Sequence, residues 1–154
     1  MDAEVCCRLA AALSVRRDRS WPPEAMLSMA LRTTQTAGRV ADALGLTMTP
    51  DERLRERQFG ALEGLGDEHY PNVWALDAMG DEHSAFQVES LQSVAARMKA
   101  VIDAFEREHR GETLLIVSHG DPLQILLTAL ANKPLTQHRE QTALLPASIT
   151  QVGG

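Results

Sequence analysis

The sequence predicts an α/β protein, a single domain over residues 1–154 whose mainly parallel sheet is covered by helices on both faces. Three observations carry this. Short apolar runs of strand length alternate along the chain with segments of helical period. The sharpest run, Leu114-Leu115-Ile116-Val117, is continuously apolar and too short for a helix, as a strand buried on both faces would be. Directly after it, Ser118-His119-Gly120-Asp121-Pro122 reads as a turn into a helix, with the proline suited to the first helical position.

From the N-terminus, Asp2 to Leu13 is expected to form a short helix with Val5, Leu9 and Leu13 on one stripe. Arg16 to Pro23 reads as a charged loop closed by proline, and Glu24 to Ser28 has the length of a strand. Ala37, Val40, Ala41 and Leu44 then follow i, i+3, i+4, i+7, predicting a helix over Thr33–Leu44 that Gly45 ends. Thr47-Met48-Thr49 reads as another strand, stopped by Pro50. The clearest helix follows Ser90, which is placed to cap it: Leu91, Val94, Ala95, Met98, Val101, Ile102 and Phe105 hold one face. The Leu114–Val117 strand, a helix from Pro122 to about Ala131 and a last strand around Ser148–Val152 complete the order.

Residues 60–89 interrupt this pattern. From Gly60 to Ala96 there is no Lys or Arg, and Glu63, Asp67, Glu68, Asp77, Asp81, Glu82 and Glu89 make the stretch acidic, with little helical period before Ser90. Two readings stay open for it, a lid over the active edge of the sheet and a solvated surface loop.

The net charge of −6 and a pI near 5.3 argue against a nucleic-acid partner, which needs a basic face. No apolar run approaches the roughly 20 residues that span a bilayer. Met1-Asp2-Ala3-Glu4 lacks the basic start of a signal peptide, so the expected compartment is the cytoplasm. Cys6 and Cys7 are adjacent, a poor arrangement for bridging each other and unlike zinc-ligand spacing. Buried reduced thiols are expected, and no metal.

His119 lies at the carboxyl end of a strand and at the start of a helix. In open α/β sheets ligands bind at that edge, and helix starts attract anions, so a phosphoryl group is the natural guest. Four segments then carry a resemblance. Ser28-Met29-Ala30-Leu31-Arg32-Thr33-Thr34-Gln35-Thr36-Ala37 resembles an S-x-L-x-R-x-x-Q-T-A segment, and Leu54 to Gly64 an L-x-E-x-x-x-G-x-x-E-G stretch. Val88-Glu89-Ser90-Leu91 is similar to a G-E-S helix start with Val88 in place of the glycine, and Val117-Ser118-His119-Gly120 to a histidine motif. In this order they resemble the histidine phosphatase superfamily, the phosphoglycerate-mutase-like enzymes, over roughly Asp2 to Val152.

The resemblance implies a three-layer α/β sandwich and phosphoryl transfer through a phosphohistidine, without a metal or other cofactor. It implies a phosphate clamp at Arg32, whose planar fork of donors matches phosphoryl oxygens. The plainer reading is a surface arginine at a helix start, but a cation there is mildly unfavourable unless an anion sits beside it. The resemblance makes Glu56 the general acid, a role that needs its pKa raised by burial or by anions; Arg55 and Arg57 would oppose that if they point inward. Glu63 and Glu89 are weaker candidates. His119 corresponds to the family's second histidine, which binds and stabilises the transferring phosphoryl group. His69, His83, His109 and His138 match nothing and are read as surface residues.

The family opens with a strand ending in Arg-His-Gly, whose histidine is the nucleophile, and no Arg-His-Gly occurs here. Asp2–Leu13 looks like the helix that follows that strand, so the fold is expected to be incomplete at its N-terminus and the chain to have little activity. Three explanations stay open: a fragment of a normal enzyme, a non-catalytic module that binds a phospholigand or a protein, and a partner chain that supplies a strand. A sheet lacking an interior strand would leave Leu114–Val117 bare, so a homodimer or an aggregation-prone chain, or closure of the remaining strands around the gap, is expected. The expected ligand is a small phosphorylated molecule or inorganic phosphate. A phosphomonoesterase fits better than a phosphoglycerate mutase, since a bisphosphorylated substrate would want cations where Gly60–Ala96 has none.

Overall fold

A computed structural model of the chain describes residues 11–15, 24–27, 37–39, 42–43, 47–63, 65, 67–80, 85–108, 114–140, 144 and 149–152. Five strands, β1 (Ala11–Val15), β2 (Glu24–Leu27), β3 (Thr47–Pro50), β4 (Leu114–Ser118) and β5 (Ile149–Val152), form one sheet in the order β3-β2-β4-β1-β5. β2 pairs in parallel with both β3 and β4, and β1 pairs in parallel with β5; the β1–β4 pairing is antiparallel. The helices are α1 (Tyr70–Met79), α2 (Leu91–Glu108) and α3 (Gly120–Leu130), and residues 37–39 and 42–43 are helical as well.

β4 lies inside the sheet because nearly everything it presents is apolar. Leu115, Ile116 and Val117 are all buried, and the strand is paired along both edges, Ile116 standing opposite Leu13 on one side and Met26 on the other. The Leu114–Val117 edge is therefore covered by closure within the chain, one of the outcomes expected. β1 fills that position from within the chain, which removes the reason given for a homodimer.

β1 also corrects the helix expected over Asp2–Leu13, since Ala11, Ala12 and Leu13 are strand residues; residues 2–10 lie outside those described. The stripe Val5, Leu9, Leu13 suits a helix, but Leu13-Ser14-Val15 equally alternates as a strand does. In so short a run, pairing with β4 and β5 outweighs local preference.

The main core joins α2 and α3 to the sheet. Leu91, Val94, Met98, Val101, Ile102 and Phe105 of α2 pack with Leu123, Ile125 and Leu126 of α3, with Ile116 of β4 and with Leu54. α2 starts where expected: Ser90 Oγ accepts the backbone N–H of Ser93 at 3.1 Å. The acidic excursion is more ordered than its sequence predicts, because α1 lies within it. Pro71 stands at the start of α1, and its buried residues are Val73 and Asp77, one apolar and one acidic, so no apolar stripe announces it. A second cluster, Phe59, Leu62, Val73 and Val88 with Tyr70 against it, seats the excursion on the body of the fold, and Phe59 and Tyr70 stack with ring centroids 4.1 Å apart.

Gly60 closes that second cluster. Its φ of +55° is a backbone conformation that side chains rarely tolerate, and an added Cβ would come within 2.3 Å of the carbonyl oxygens of Phe86 and Gln87.

Candidate functional site

The site forms where the end of β4 meets the loop after β3. Ser118, the last residue of β4, donates from Oγ to the carbonyl of Leu54 at 2.7 Å, and Leu54 is itself locked in the main core. Asp51 caps the short turn Glu52–Leu54 by accepting the N–H of Arg53 at 2.9 Å. Glu56, two residues beyond this anchored turn, is thereby brought to the strand end that carries His119.

His119 is extended (φ −106°, ψ 162°), the residue immediately before α3, and its carbonyl accepts the N–H of Leu123 at 3.1 Å. Its ring is buried, and Nδ1 lies 3.6 Å from Oε2 of Glu56, whose side chain keeps 30% exposure and so stands at the mouth of the site. The other carboxyl oxygen, Oε1, accepts the backbone N–H of Arg57 at 2.8 Å. The Glu56 carboxyl is pushed up to about 8, first by burial and then by the charge of Asp121, with Glu63 adding a little; the Arg57 N–H and the charge of Arg97 pull the other way. A carboxyl of this kind is protonated at neutral pH and can give up a proton, beside an imidazole that can hold an anion.

Arg57 does point inward, but away from the acid. Its guanidinium is fully buried and makes a two-pronged pair with Asp77 of α1, Nη1 to Oδ2 at 2.7 Å and Nη2 to Oδ1 at 2.9 Å. Nη1 also reaches Oδ2 of Asp121 at 3.2 Å, and Nε donates to the carbonyl of Glu89 at 2.9 Å. Burial opposes the charge of Arg57, and its bonds to the two aspartates more than restore it. Arg55 stays on the surface and donates to the carbonyl of Glu52.

Around this pair lies a buried polar cluster. His138, expected at the surface, is fully buried, with Nε2 3.1 Å from Oδ2 of Asp77 and Nδ1 3.8 Å from Oδ1 of Asp121. Asp121 also accepts from Trp74 Nε1 at 3.0 Å and from Arg139 Nη1 at 3.4 Å, and the Arg139 guanidinium lies 3.6 Å over the Trp74 ring. Asp121, in the first turn of α3, thus ties the start of that helix to α1 and to the turn after α3. Asp77, counted among the acidic excursion residues, is likewise buried rather than solvated.

Of the residues expected from the sequence, Glu56 and His119 come together. Arg32 lies outside the described residues, as do His83, His109, Cys6 and Cys7. Glu63 accepts the N–H of Phe59 at 2.7 Å, and Glu89 is engaged by Arg97, so both serve the loops around the site. Sequence reasoning passed over Asp77, Asp121, His138, Trp74 and Arg139, and it weighed Arg57 only for its effect on Glu56. The one local signal was Asp121, an acidic residue two positions after His119.

A sequence profile of the histidine phosphatase superfamily (branch 1) matches residues 7–153. Among curated proteins, the probable phosphoglycerate mutase GpmB of Yersinia pestis (strain Pestoides F) is 37% identical over 113 residues, covering 70% of this chain and 53% of that protein. The same values hold for its counterpart in Yersinia pseudotuberculosis. The matched stretch is thus about half the length of these curated relatives. Among solved structures, a protein described as mycobacterial hydrolase 2 superposes with a TM-score of 0.73 at 17% identity, over 90% of this chain and 79% of that one. A mycobacterial glucosyl-3-phosphoglycerate phosphatase solved with inorganic phosphate gives a TM-score of 0.69 at 17% identity, covering 90% and 86%. YhfR of Bacillus stearothermophilus gives 0.69 at 20%, covering 88% and 87%. At these identities the structural likeness speaks for the fold.

Proposed function

We propose, from the premise that the chain belongs to the histidine phosphatase superfamily, that the Glu56–His119 site receives the phosphoryl group of a small phosphomonoester. The observation that carries this reading is the approach of the Glu56 carboxyl to within 3.6 Å of His119 Nδ1 at the end of β4, beside the start of α3. His119 and the first N–H groups of α3 hold phosphoryl oxygens, and Arg32 completes the clamp. In the family's reaction the phosphoryl group passes to a nucleophilic imidazole as its P–O bond to the alcohol breaks, and protonated Glu56 is the group placed to give the leaving oxygen its proton. No metal is needed for these roles. The expected architecture around the site is a three-layer sandwich, whose second face calls on the helix expected over Thr33–Leu44; residues 37–39 and 42–43 of it are helical.

The phosphoryl acceptor in this chemistry is the imidazole of an Arg-His-Gly segment, and the 154-residue sequence has none. This polypeptide by itself is therefore expected to bind phosphate and to turn over phosphomonoesters at background. The names of the curated relatives favour a second reading, a phosphoglycerate mutase. Against it stands the stretch from Gly60 to Ala96, which offers a second phosphate no Lys or Arg of its own.

The site reading is tested by phosphate-dependent stability. Millimolar affinity, about −4 kcal/mol, stabilises the fold by about 1.8 kcal/mol when phosphate is at roughly 20 times its Kd. His119→Ala should lose this gain. An unfolding midpoint that responds no more to phosphate than to chloride at equal ionic strength would overturn the reading.

A further inference from the structure

We propose that Arg97 is a positioning residue for Glu56, a guanidinium clamp that holds the loop after β3 so that the Glu56 carboxyl faces His119. Arg97 lies on α2, outside the four family-like segments, and reaches a loop some 40 residues earlier in the chain. A guanidinium has five N–H donors, and here five contacts are made. Nε and Nη2 take the two carboxyl oxygens of Glu89, at 2.9 and 3.0 Å. Nη1 donates to the carbonyls of Arg53 and Arg55 at 2.7 and 2.8 Å, and Nη2 donates to the carbonyl of Glu56 itself at 3.2 Å.

Glu89 extends the clamp one step further along the loop. Its Oε1 accepts the N–H of Gln58 at 3.2 Å, its own N–H donates to the carbonyl of Gln58 at 2.8 Å, and its carbonyl accepts from Arg57 Nε. Burial works against the Glu89 carboxylate, yet the bonds and charge of Arg97 hold it below the usual glutamate range. Residues on both sides of Glu56 are thus tied to one ion pair, and the targets on the loop are backbone groups, which set where a side chain begins. Lysine, a single point charge on a flexible stem, could not span Glu89 and three carbonyls together.

The groups facing Glu56 make the test decisive by sign. They are His119 from the β4–α3 junction, Asp121 from α3, Glu63 from the turn after the loop, the Arg57 N–H from the loop itself, and Arg97 from α2. If Arg97 acted through its charge alone, removing it would raise the Glu56 pKa further. If it positions the loop, removing it leaves the partly exposed carboxyl more fully in water and farther from Asp121, and the pKa falls.

The inference rests on Glu56 being the acid of the proposed site, and its test uses no phosphate, so failure of one is distinguishable from failure of the other. The Glu56 carboxyl carbon is followed by NMR in protein carrying carbon-13 glutamate, with Glu56→Gln giving the assignment. Arg97→Lys, which keeps the charge and loses the fork, and Arg97→Met should both move the midpoint from about 8 toward the ordinary glutamate value near 4.5. Lys99→Gln, exposed on the same helix, should leave it in place. A midpoint unchanged in Arg97→Lys, or raised in Arg97→Met, overturns the proposal. Should the Arg97 variants fail to fold, the unaltered protein carries the test. The Arg97 Nη hydrogens, held by the carbonyls of Arg53, Arg55 and Glu56, should then exchange slowly with water and show hindered rotation, and fast exchange with free rotation overturns the clamp.

Discussion

Replacing Asp77 by alanine removes the anchor of the buried cluster without touching Glu56 or His119. In the native fold Asp77 accepts two short hydrogen bonds from Arg57, and His138 Nε2 lies 3.1 Å from it, all out of contact with solvent. Its loss leaves a buried guanidinium whose acceptors among the described residues are Asp121, at 3.2 Å, and the Glu89 carbonyl, at 2.9 Å. Breaking a buried pair from one side costs about 3–5 kcal/mol. Because two acceptors remain, the lower end applies, about 3 kcal/mol. That is a large share of the roughly 5–15 kcal/mol that holds a domain folded. With a urea dependence of about 2 kcal/mol per molar, the unfolding midpoint should drop by about 1.5 M. The double variant Arg57→Met, Asp77→Leu removes both charges and should cost less than the two single changes added together, with a coupling of about 2 kcal/mol. A loss under about 1 kcal/mol for Asp77→Ala, or single effects that add within about 0.5 kcal/mol, would refute the view that this cluster braces the site.

Three further outcomes follow from particular residues. Gly60→Ala should destabilise the protein by about 2 kcal/mol or more, since it meets both a positive φ and two carbonyl oxygens, whereas Gly38→Ala, helical and open around its Cα, should be neutral or gain up to about 1 kcal/mol; equal effects in denaturant melts would count against the geometry at Gly60. Glu56 takes up its proton more readily folded than unfolded, so its own contribution to stability is greatest below its ordinary pKa near 4.5 and is lost as pH rises toward about 8. Glu56→Gln should flatten that decline, gaining on the parent protein in melts above about pH 8 but not near pH 4, and identical pH slopes would contradict the shift. Hydrolysis of p-nitrophenyl phosphate by the purified chain should stay at background, because losing a nucleophile costs on the order of a thousandfold or more; robust turnover abolished by His119→Ala would reveal a nucleophile elsewhere.

What the sequence conveyed follows from where local pattern and burial coincide. α2 was legible because six buried residues repeat along one face and Ser90 caps its start. β4 was legible because a strand buried on both faces is apolar throughout. β1 was not, since Ala11-Ala12-Leu13-Ser14-Val15 suits either period and its partner β4 lies about a hundred residues away. α1 was hidden because half of its buried face is Asp77, made tolerable inside the protein by an arginine 20 positions earlier. The site divides in the same way. Glu56 and His119 stand in segments whose spacing is recognisable, while the Arg57, Asp77, Asp121 and His138 cluster and the bonds from Arg97 to the carbonyls of Arg53, Arg55 and Glu56 join distant parts of the chain and leave no mark on neighbouring residues. His138 looked like a surface histidine because its burial depends on Asp77 and Asp121, from two other parts of the chain.

Whether Glu56 and His119 form one phosphate-receiving site is decided by titrating inorganic phosphate into nitrogen-15-labelled protein and following each residue by NMR. The account predicts saturable shifts at the His119 ring and amide, at Glu56 and at Arg32, sharing one millimolar Kd, with α1 surface residues such as Ala75 and Ala78 unmoved. No response at His119 and Glu56, or shifts spread over exposed lysines and arginines without saturation, would contradict it.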